Sequence, residues 1–475
     1  MGKIILEVNN NKTRLSGSLK ILNQLDKDFA IRHPNAFFLR RTMGRGWDGK
    51  QHYLTQAGYI KTGLLPKMIN KIKEHGHDVE IHDYRETLPK PIMPKIIGEH
   101  TPRPYQEKAI KSIINNHIGD FYFPMGVINA ATNAGKTTIA AGIWEAYNRD
   151  VPAILLINDG DLYNQFLDEI PKLVGKENFG YIRGKDIKFN KFTIAMVQTL
   201  TRRTVEFARE LSNFGICLVD EADLADNKTY KRCIEKLYNT SVRVGLSGTI
   251  YMSKLAKDKL KNENLRCFLS DEVFTITKRE MIDKGFSTEL VVKIIKGNIK
   301  PGMKGSYQEE YKNLITNNDD RHLVSAKRTE WNLNKGRLPA LIVCQFHEHI
   351  DNMEKVYREY FGNKYRIVTV HHETKNRKQI FQDCRDGKID ILISSFIVKR
   401  GKNLPLLKYM QNAAGGDSNE TISQLMGRME RKHQSKSKSY IDDLWDDGYY
   451  LKRHSNHRVV YYKKEKIKVI NYAKR

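Results

Sequence analysis

The chain has 475 residues, too many for one compact core and enough for two or three domains. Hydrophobic residues make up 40% and charged residues 29%, which excludes fibrous, collagen-like and wholly disordered classes. Lys and Arg total 81 against 55 Asp and Glu, a formal net charge of +26, so a polyanionic partner, most simply nucleic acid, is expected.

The first 95 residues read as a small basic α+β domain, with 17 Lys and Arg against 9 Asp and Glu. Strands are expected at Lys3–Val8, 36–40 and 52–54, and helices at Leu19–Phe29 and 65–75. Arg40, Arg41, Arg45 and Lys50 surround Phe37, Phe38 and Trp47. Basic residues interleaved with aromatics suit phosphate contact plus base stacking. The two Phe residues read as core, while Trp47, between glycines, is open to either reading. Three prolines within 88–95 disfavour helix and predict an extended linker.

Beyond residue 100, short apolar runs alternate with helical stretches. Strands are expected at 127–131, Ala153–Ile157, 192–197, Ile216–Asp220 and 242–246. A second series follows at 340–344, 366–370, 389–394, 409–413 and 439–442. Buried strands alternating with helices predict parallel, doubly wound sheets. The expected organisation is residues 1–95, a first α/β domain over 96–290 and a second over 291–475, joined near 290–325. The last 43 residues form a basic tail with partly alternating apolar and basic residues.

Ala130-Ala131-Thr132-Asn133-Ala134-Gly135-Lys136-Thr137 lies between a predicted strand and a predicted helix. It is a phosphate-cradling loop with Ala in place of the first Gly. Thr132, Asn133, Ala134, Gly135 and Thr138 offer backbone N–H groups near a helix start, Lys136 reaches the β- and γ-phosphates, and Thr137 binds Mg²⁺. Leu218-Val219-Asp220-Glu221 ends a strand in two carboxylates at the sheet edge where such folds bind ligands. Asp220 is expected to hold Mg²⁺ and Glu221 to orient or deprotonate the attacking water. Gln424, Gly427, Arg428 and Arg431 are spaced to share one helix face. Two guanidiniums there suit phosphate contact.

These stretches, in this order from about Arg103 to Asp443, resemble the superfamily 2 helicases. The resemblance implies two tandem RecA-like domains with ATP and Mg²⁺ between them. It implies that Arg103 and Gln106 recognise adenine, that Ser247-Gly248-Thr249 couples hydrolysis to domain movement, and that Gly401 contacts nucleotide. Gln198 and Thr199, with Phe346 and Ser395, match strand-backbone contacts. Asn158-Asp159 departs from a usual Pro-Thr, and Lys402-Asn403 from a usual Ile-Asp. Met43-Gly44-Arg45-Gly46-Trp47-Asp48-Gly49-Lys50, Gly63-Leu64-Leu65-Pro66 and Tyr307-Gln308-Glu309-Glu310-Tyr311 resemble phage branch-migration helicases of the UvsW kind.

The expectation is an ATP-dependent DNA helicase or translocase acting on forks and four-way junctions, in replication or recombination. An RNA helicase, a duplex translocase without strand separation, and a DNA-binding protein with a vestigial ATP site are the alternatives. A monomer in the cytoplasm (the host's, for a phage protein) is expected. The five cysteines have no C-x-x-C pair, and no apolar run is long enough to span a membrane. His347, His349, His371 and His372 invite a metal reading, but no carboxylate or cysteine spacing completes one, so no structural metal is expected.

Overall fold

The computed structural model describes residues 2–44, 46–131, 133–248, 256–298, 305–396, 404, 406–430, 433 and 436–472. Arg45, Thr132, Thr249, Gly401, Lys402, Asn403 and Arg431 lie outside the described residues. The fold is α/β, with two parallel RecA-like sheets preceded by a small α+β element. By contacts the chain divides into Met1–Ala130 with Gly135–Ile276, and Ala131–Ala134 with Thr277–Arg475.

In the first unit, Lys3–Val8 alternates, with Ile4, Leu6 and Val8 fully buried and the residues between them turned outward. That period makes it a half-buried strand. It lies in a four-stranded sheet between Lys12–Ser16 and Asp78–Asp83, with Tyr59–Lys61 at the edge. Residues 36–40, expected as a strand, form the helix Ala36–Met43. No β-branched residue occurs between Ala36 and Arg41, and Asn35 stands at the N-cap; both favour helix. No residue of this helix is buried, and Phe37 and Phe38 are 83% and 75% exposed, which corrects their reading as core. Residues 52–54 are not a strand either: Tyr53 and Leu54 turn into the core after a short ladder of Lys50–Gln51 with Ile31–Arg32.

The main sheet of this unit has, among the described residues, eight strands. In order they are Asp186–Lys188, Phe179–Arg183, Phe192–Met196, Ala153–Ile157, Ile216–Asp220, Val242–Ser247, Met125–Ala130 and Glu272–Ile276. Every pairing is parallel except the antiparallel edge formed by Asp186–Lys188. Its central strands are buried at every position, as strands covered on both faces must be.

The small sheet is built onto this body. Leu64, Leu65 and Met68 share one apolar cluster with Leu237, Cys267 and Phe268. A Cβ at Gly63 would stand 2.1 Å from the Arg266 carbonyl oxygen, so the close approach requires glycine there. The buried Arg243 guanidinium donates to Asn11 Oδ1. Lys61 pairs with Glu235, Lys67 Nζ lies 2.6 Å from Glu263 Oε1, and Tyr53 Oη donates to Asn264 Oδ1 at 3.1 Å.

The second unit holds a wholly parallel sheet of, among the described residues, seven strands. Their order is Ile367–Val370, Ile391–Ser394, Ala340–Val343, Tyr409–Asn412, Lys438–Asp446, Glu289–Asn298 and Lys468–Asn471. The segment expected to join the domains is folded into this unit. Glu310, 1% exposed, accepts from the N–H groups of Tyr449, Tyr450 and Leu451 at 3.0, 3.0 and 2.8 Å, a carboxylate at the positive end of helix Tyr449–Lys464. Arg321 is buried on Asp446 at 2.7 Å. The basic tail likewise folds. Val459-Val460-Tyr461-Tyr462 lies within that helix, with Tyr461 and Tyr462 buried and Arg458 2.8 Å from the buried Asp443. Among the described residues no helix is long and apolar enough to cross a membrane.

Candidate functional site

The strand Met125–Ala130 leads through residues 131–135 into the helix Lys136–Ala146. Among the described residues of the turn, Asn133 at φ 72° and Gly135 at φ 73° are left-handed. Gly135 caps the helix, and Lys136, Thr137 and Thr138 form its half-buried first turn. Gln106 is 5% exposed; its Oε1 accepts from Arg103 N at 2.9 Å. Its Nε2 lies 2.5 Å from where a Cβ on Gly135 would be. The segment expected to read adenine is therefore packed against the phosphate loop, and the Arg103 guanidinium rests 3.0 Å from Tyr105 Oη.

Asp220 ends the buried strand Ile216–Asp220, and Glu221 follows at φ 50°, an uncommon conformation for a non-glycine residue. Ser247 ends the neighbouring strand, with Gly248 after it. Ser247 Oγ donates to Asp223 Oδ1 at 2.8 Å, tying the acidic loop to the expected coupling motif. Tyr230 Oη donates to the Asp220 carbonyl at 3.3 Å. Register places Asp220 beside Leu246 and Ser247 beside Asn129, so the acids, the coupling serine and the phosphate loop leave one edge of one parallel sheet. The role of Asp223 was missed in the sequence because its partner is 24 positions away.

In the second unit Gln424 and Arg428 lie on the helix Asn419–Met429, with Arg428 5% exposed. Glu430 follows it, fully buried, and burial raises its carboxyl above the ordinary range. Phe346 caps the helix His347–Phe361, is 48% exposed, and meets Tyr311 edge-on at 5.0 Å between centroids. Ser395 follows the strand Ile391–Ser394, the parallel neighbour of Ala340–Val343. These two strand ends open on a cavity of about 330 Å³ lined by Gln345, Phe396, Asn412, Ser418, Thr421 and Leu425 among others.

The first unit's residues expected to contact a nucleic-acid strand, Gln198 and Thr199, lie in the first turn of the short helix Val197–Arg202. Gln198 Nε2 donates to Asn158 O at 2.9 Å and to Asn158 Oδ1 at 2.6 Å. Asp159 Oδ1 accepts from Leu162 N at 2.8 Å and starts the helix Gly160–Val174. The unusual Asn158-Asp159 pair thus has a local structural use. Thr199 Oγ1 accepts from Gly184 N at 3.0 Å. In the small domain Arg40 and Arg41 are exposed on helix Ala36–Met43. Trp47 is half-buried, donates Nε1–H to Lys50 O at 2.9 Å, and meets His33 edge-on.

A carboxylate does join the histidines, which corrects the sequence reading: His347, His371 and Glu373 bring ligand atoms within 4.8 Å of one another. Hydrogen bonds also account for part of that cluster. Glu373 N donates to His371 Nδ1 at 3.3 Å, the two Nε2 atoms are 3.0 Å apart, and His347 Nδ1 lies 3.6 Å from Glu373 Oε2.

Two family models match the chain. Residues 99–252 match the type III restriction enzyme res subunit, and residues 324–433 match the helicase conserved C-terminal domain. A relative, the ATP-dependent DNA helicase uvsW of Enterobacteria phage T4, is 24% identical over 85% of this chain and 82% of its own length. The DNA 3'-5' translocase XPB2 of Sulfurisphaera tokodaii is 22% identical over 73% of this chain and 82% of its own. Among solved structures, S. cerevisiae Dbp5 bound to RNA and ADP BeF3 superimposes with a TM-score of 0.54 at 16% identity, covering 78% of this chain and 90% of that one, which shows the shared fold.

Proposed function

The chain belongs to the superfamily 2 helicases and is an ATP-dependent helicase, and from that premise we propose that it moves along DNA and unwinds or branch-migrates branched DNA. One observation carries the engine: the phosphate loop, Asp220-Glu221 and the Ser247–Asp223 bond leave a single sheet edge. In this reading the N–H groups around Gly135 hold phosphate oxygens, Lys136 neutralises the β- and γ-phosphates, and Thr137 and Asp220 hold Mg²⁺. Glu221 orients the attacking water and accepts its proton. Arg103 and Gln106 serve the adenine, with Gln106 held in place by the bond from Arg103 N to its Oε1. Gln424, Arg428, Arg431 and Gly401 serve the triphosphate and its transition state. Ser247, Gly248 and Thr249 pass the state of the Asp220 loop onward through Asp223.

DNA as the polymer is supported by the phage relative, named a DNA helicase, and by the net charge of +26. Gln198, Thr199, Phe346 and Ser395 are the proposed backbone contacts. Arg40, Arg41, Arg45, Trp47 and Lys50 are proposed to engage the branch point. The exposure of helix Ala36–Met43 supports that role, since none of its residues is buried and Phe37, Phe38, Arg40 and Arg41 are exposed.

The test is steady-state ATPase of the wild type, Lys136→Ala and Glu221→Gln with no nucleic acid, single-stranded RNA, linear duplex DNA or a four-way junction, at one fixed salt concentration. Strongest stimulation by the junction, loss of turnover in both variants and retained DNA binding are expected. Strongest stimulation by RNA, or a rate independent of any polynucleotide, would overturn the branched-DNA reading. Stimulation by duplex without strand separation would favour a pure duplex translocase.

A further inference from the structure

Trp331, 37% exposed on the helix Asp319–Leu333, is the centre of an unusual crowding of positive charge. Lys335 Nζ lies 4.1 Å from its ring centroid, Lys293 Nζ 4.3 Å, and the guanidinium carbons of Arg328 and Arg337 4.7 and 5.3 Å. Arg337 also sits 3.4 Å over Tyr440, and Lys293 5.6 Å from the same ring. The carboxylate beneath them is Asp442, fully buried and opposite Lys293 in register. Asp442 is already engaged by Arg328 at 2.9 Å, Asn332 at 3.1 Å and Tyr409 at 3.2 Å. Among the described residues, no carboxylate pairs with Lys293, Lys335 or Arg337. Burial, opposed by Asp442 and reinforced by the three neighbouring cations, holds the Lys293 ammonium below the ordinary lysine range.

Four cations around one indole repel each other, and the aromatic faces only partly offset that. A bound anion relieves it. The patch lies at the start of the parallel strands: Arg337 precedes Ala340–Val343, and Tyr440 is level with Ala340 through Tyr409. Phe346 and Ser395 lie past the other ends of those strands. We propose that this cluster around Trp331, with Lys335, Arg337 and Arg328 reaching the surface and Lys293 buried behind them, is a second nucleic-acid contact that binds backbone phosphates of a further arm of a branched substrate. The proposal rests on the nucleic-acid reading above. A polyphosphodiester fits better than a small anion because several cations and the exposed edge of Trp331 are gathered at one surface, where phosphates and a base can be met together. A substrate with several arms is the one that can occupy both edges of the sheet together.

The test uses the full chain with Lys335→Gln and Arg337→Gln combined, and Lys335→Arg with Arg337→Lys as the charge-retaining pair. The affinity for a four-way DNA junction and for a short single strand is measured over a salt series. The neutral pair is expected to lower the slope of log K against log salt for the junction by about 2, and to weaken binding by about 10-fold at low salt. The short strand is expected to bind unchanged, and the charge-retaining pair to restore the slope. Nucleic-acid-free ATPase at the wild-type rate verifies the fold. Lys335→Gln alone, at an exposed side chain, is expected to lower the slope by about 1 and keeps the test decisive where the pair misfolds. An unchanged junction slope in a variant of a wild type that binds junctions overturns the proposal alone. Charge-dependent binding of polyglutamate with unaltered DNA binding overturns it in favour of an acidic protein partner. A wild type that binds no DNA removes the functional reading and this inference together.

Discussion

Gly135 answers to two constraints at once, a φ of 73° and an amide nitrogen 2.5 Å from any Cβ it could carry. Gly135→Ala is expected to cost about 1–3 kcal/mol and to displace Gln106 from the loop. Thermal unfolding together with titration of a non-hydrolysable ATP analogue checks this; an unshifted Tm with full nucleotide affinity would refute it. The loop was legible in the sequence because its chemistry is local: Gly-Lys-Thr between a strand and a helix carries its own meaning. Other residues were not. Phe37 and Phe38 read as core because a short apolar pair fits either face of a strand or helix; only the three-dimensional neighbourhood leaves them outside. Glu373 was passed over because its partner His347 comes from a different strand end, so no ligand spacing records the meeting.

Among elements, the junction between the small sheet and the first RecA-like sheet is held by a buried cation. Arg243 is 1% exposed, and burial brings its guanidinium down to about 10. It bonds Thr240 as well as Asn11. Asn11→Ala removes one acceptor from a buried charge and is expected to destabilise the first unit by about 1–3 kcal/mol. Urea unfolding should show this as a lower midpoint with an unchanged m-value. A midpoint equal to the wild type's would show that water replaces the amide. The central strands were legible because runs such as Ala153–Ile157 and Ile216–Asp220 are apolar throughout. Residues 307–321 and the C-terminal stretch, expected as the connecting segment and tail of the second domain, are folded into the second unit. Their Glu310, Arg321 and Arg458 look solvent-facing in sequence, while their partners, the Tyr449 turn, Asp446 and Asp443, become visible only after folding.

At the scale of the whole molecule, acid should act on the second unit through two stacked, buried imidazoles. His322 and His349 have ring centroids 5.5 Å apart beside Arg321. Burial, with Arg321 adding, pulls His322 down from 6.5 to about 4 and His349 well below its ordinary value. A depressed folded-state value means that the neutral ring is favoured: the stability is complete above the unfolded value and drains away as pH falls towards the folded one. His322 alone is expected to cost about 3 kcal/mol between pH 7 and pH 4. Denaturant unfolding at several pH values should show the loss, and His322→Gln should flatten it; an equally steep profile in that variant would assign the effect to carboxylates elsewhere. The way the first 95 residues are built onto the chain also bears on how the protein is taken apart. Cutting at the proline-rich stretch would strip the cover from Arg243, Cys267 and Phe268, and a truncated chain would be an injured motor rather than a motor without its accessory. The helix Ala36–Met43, with no side chain in any core, can instead be planed smooth one residue at a time, leaving the machine beneath it whole.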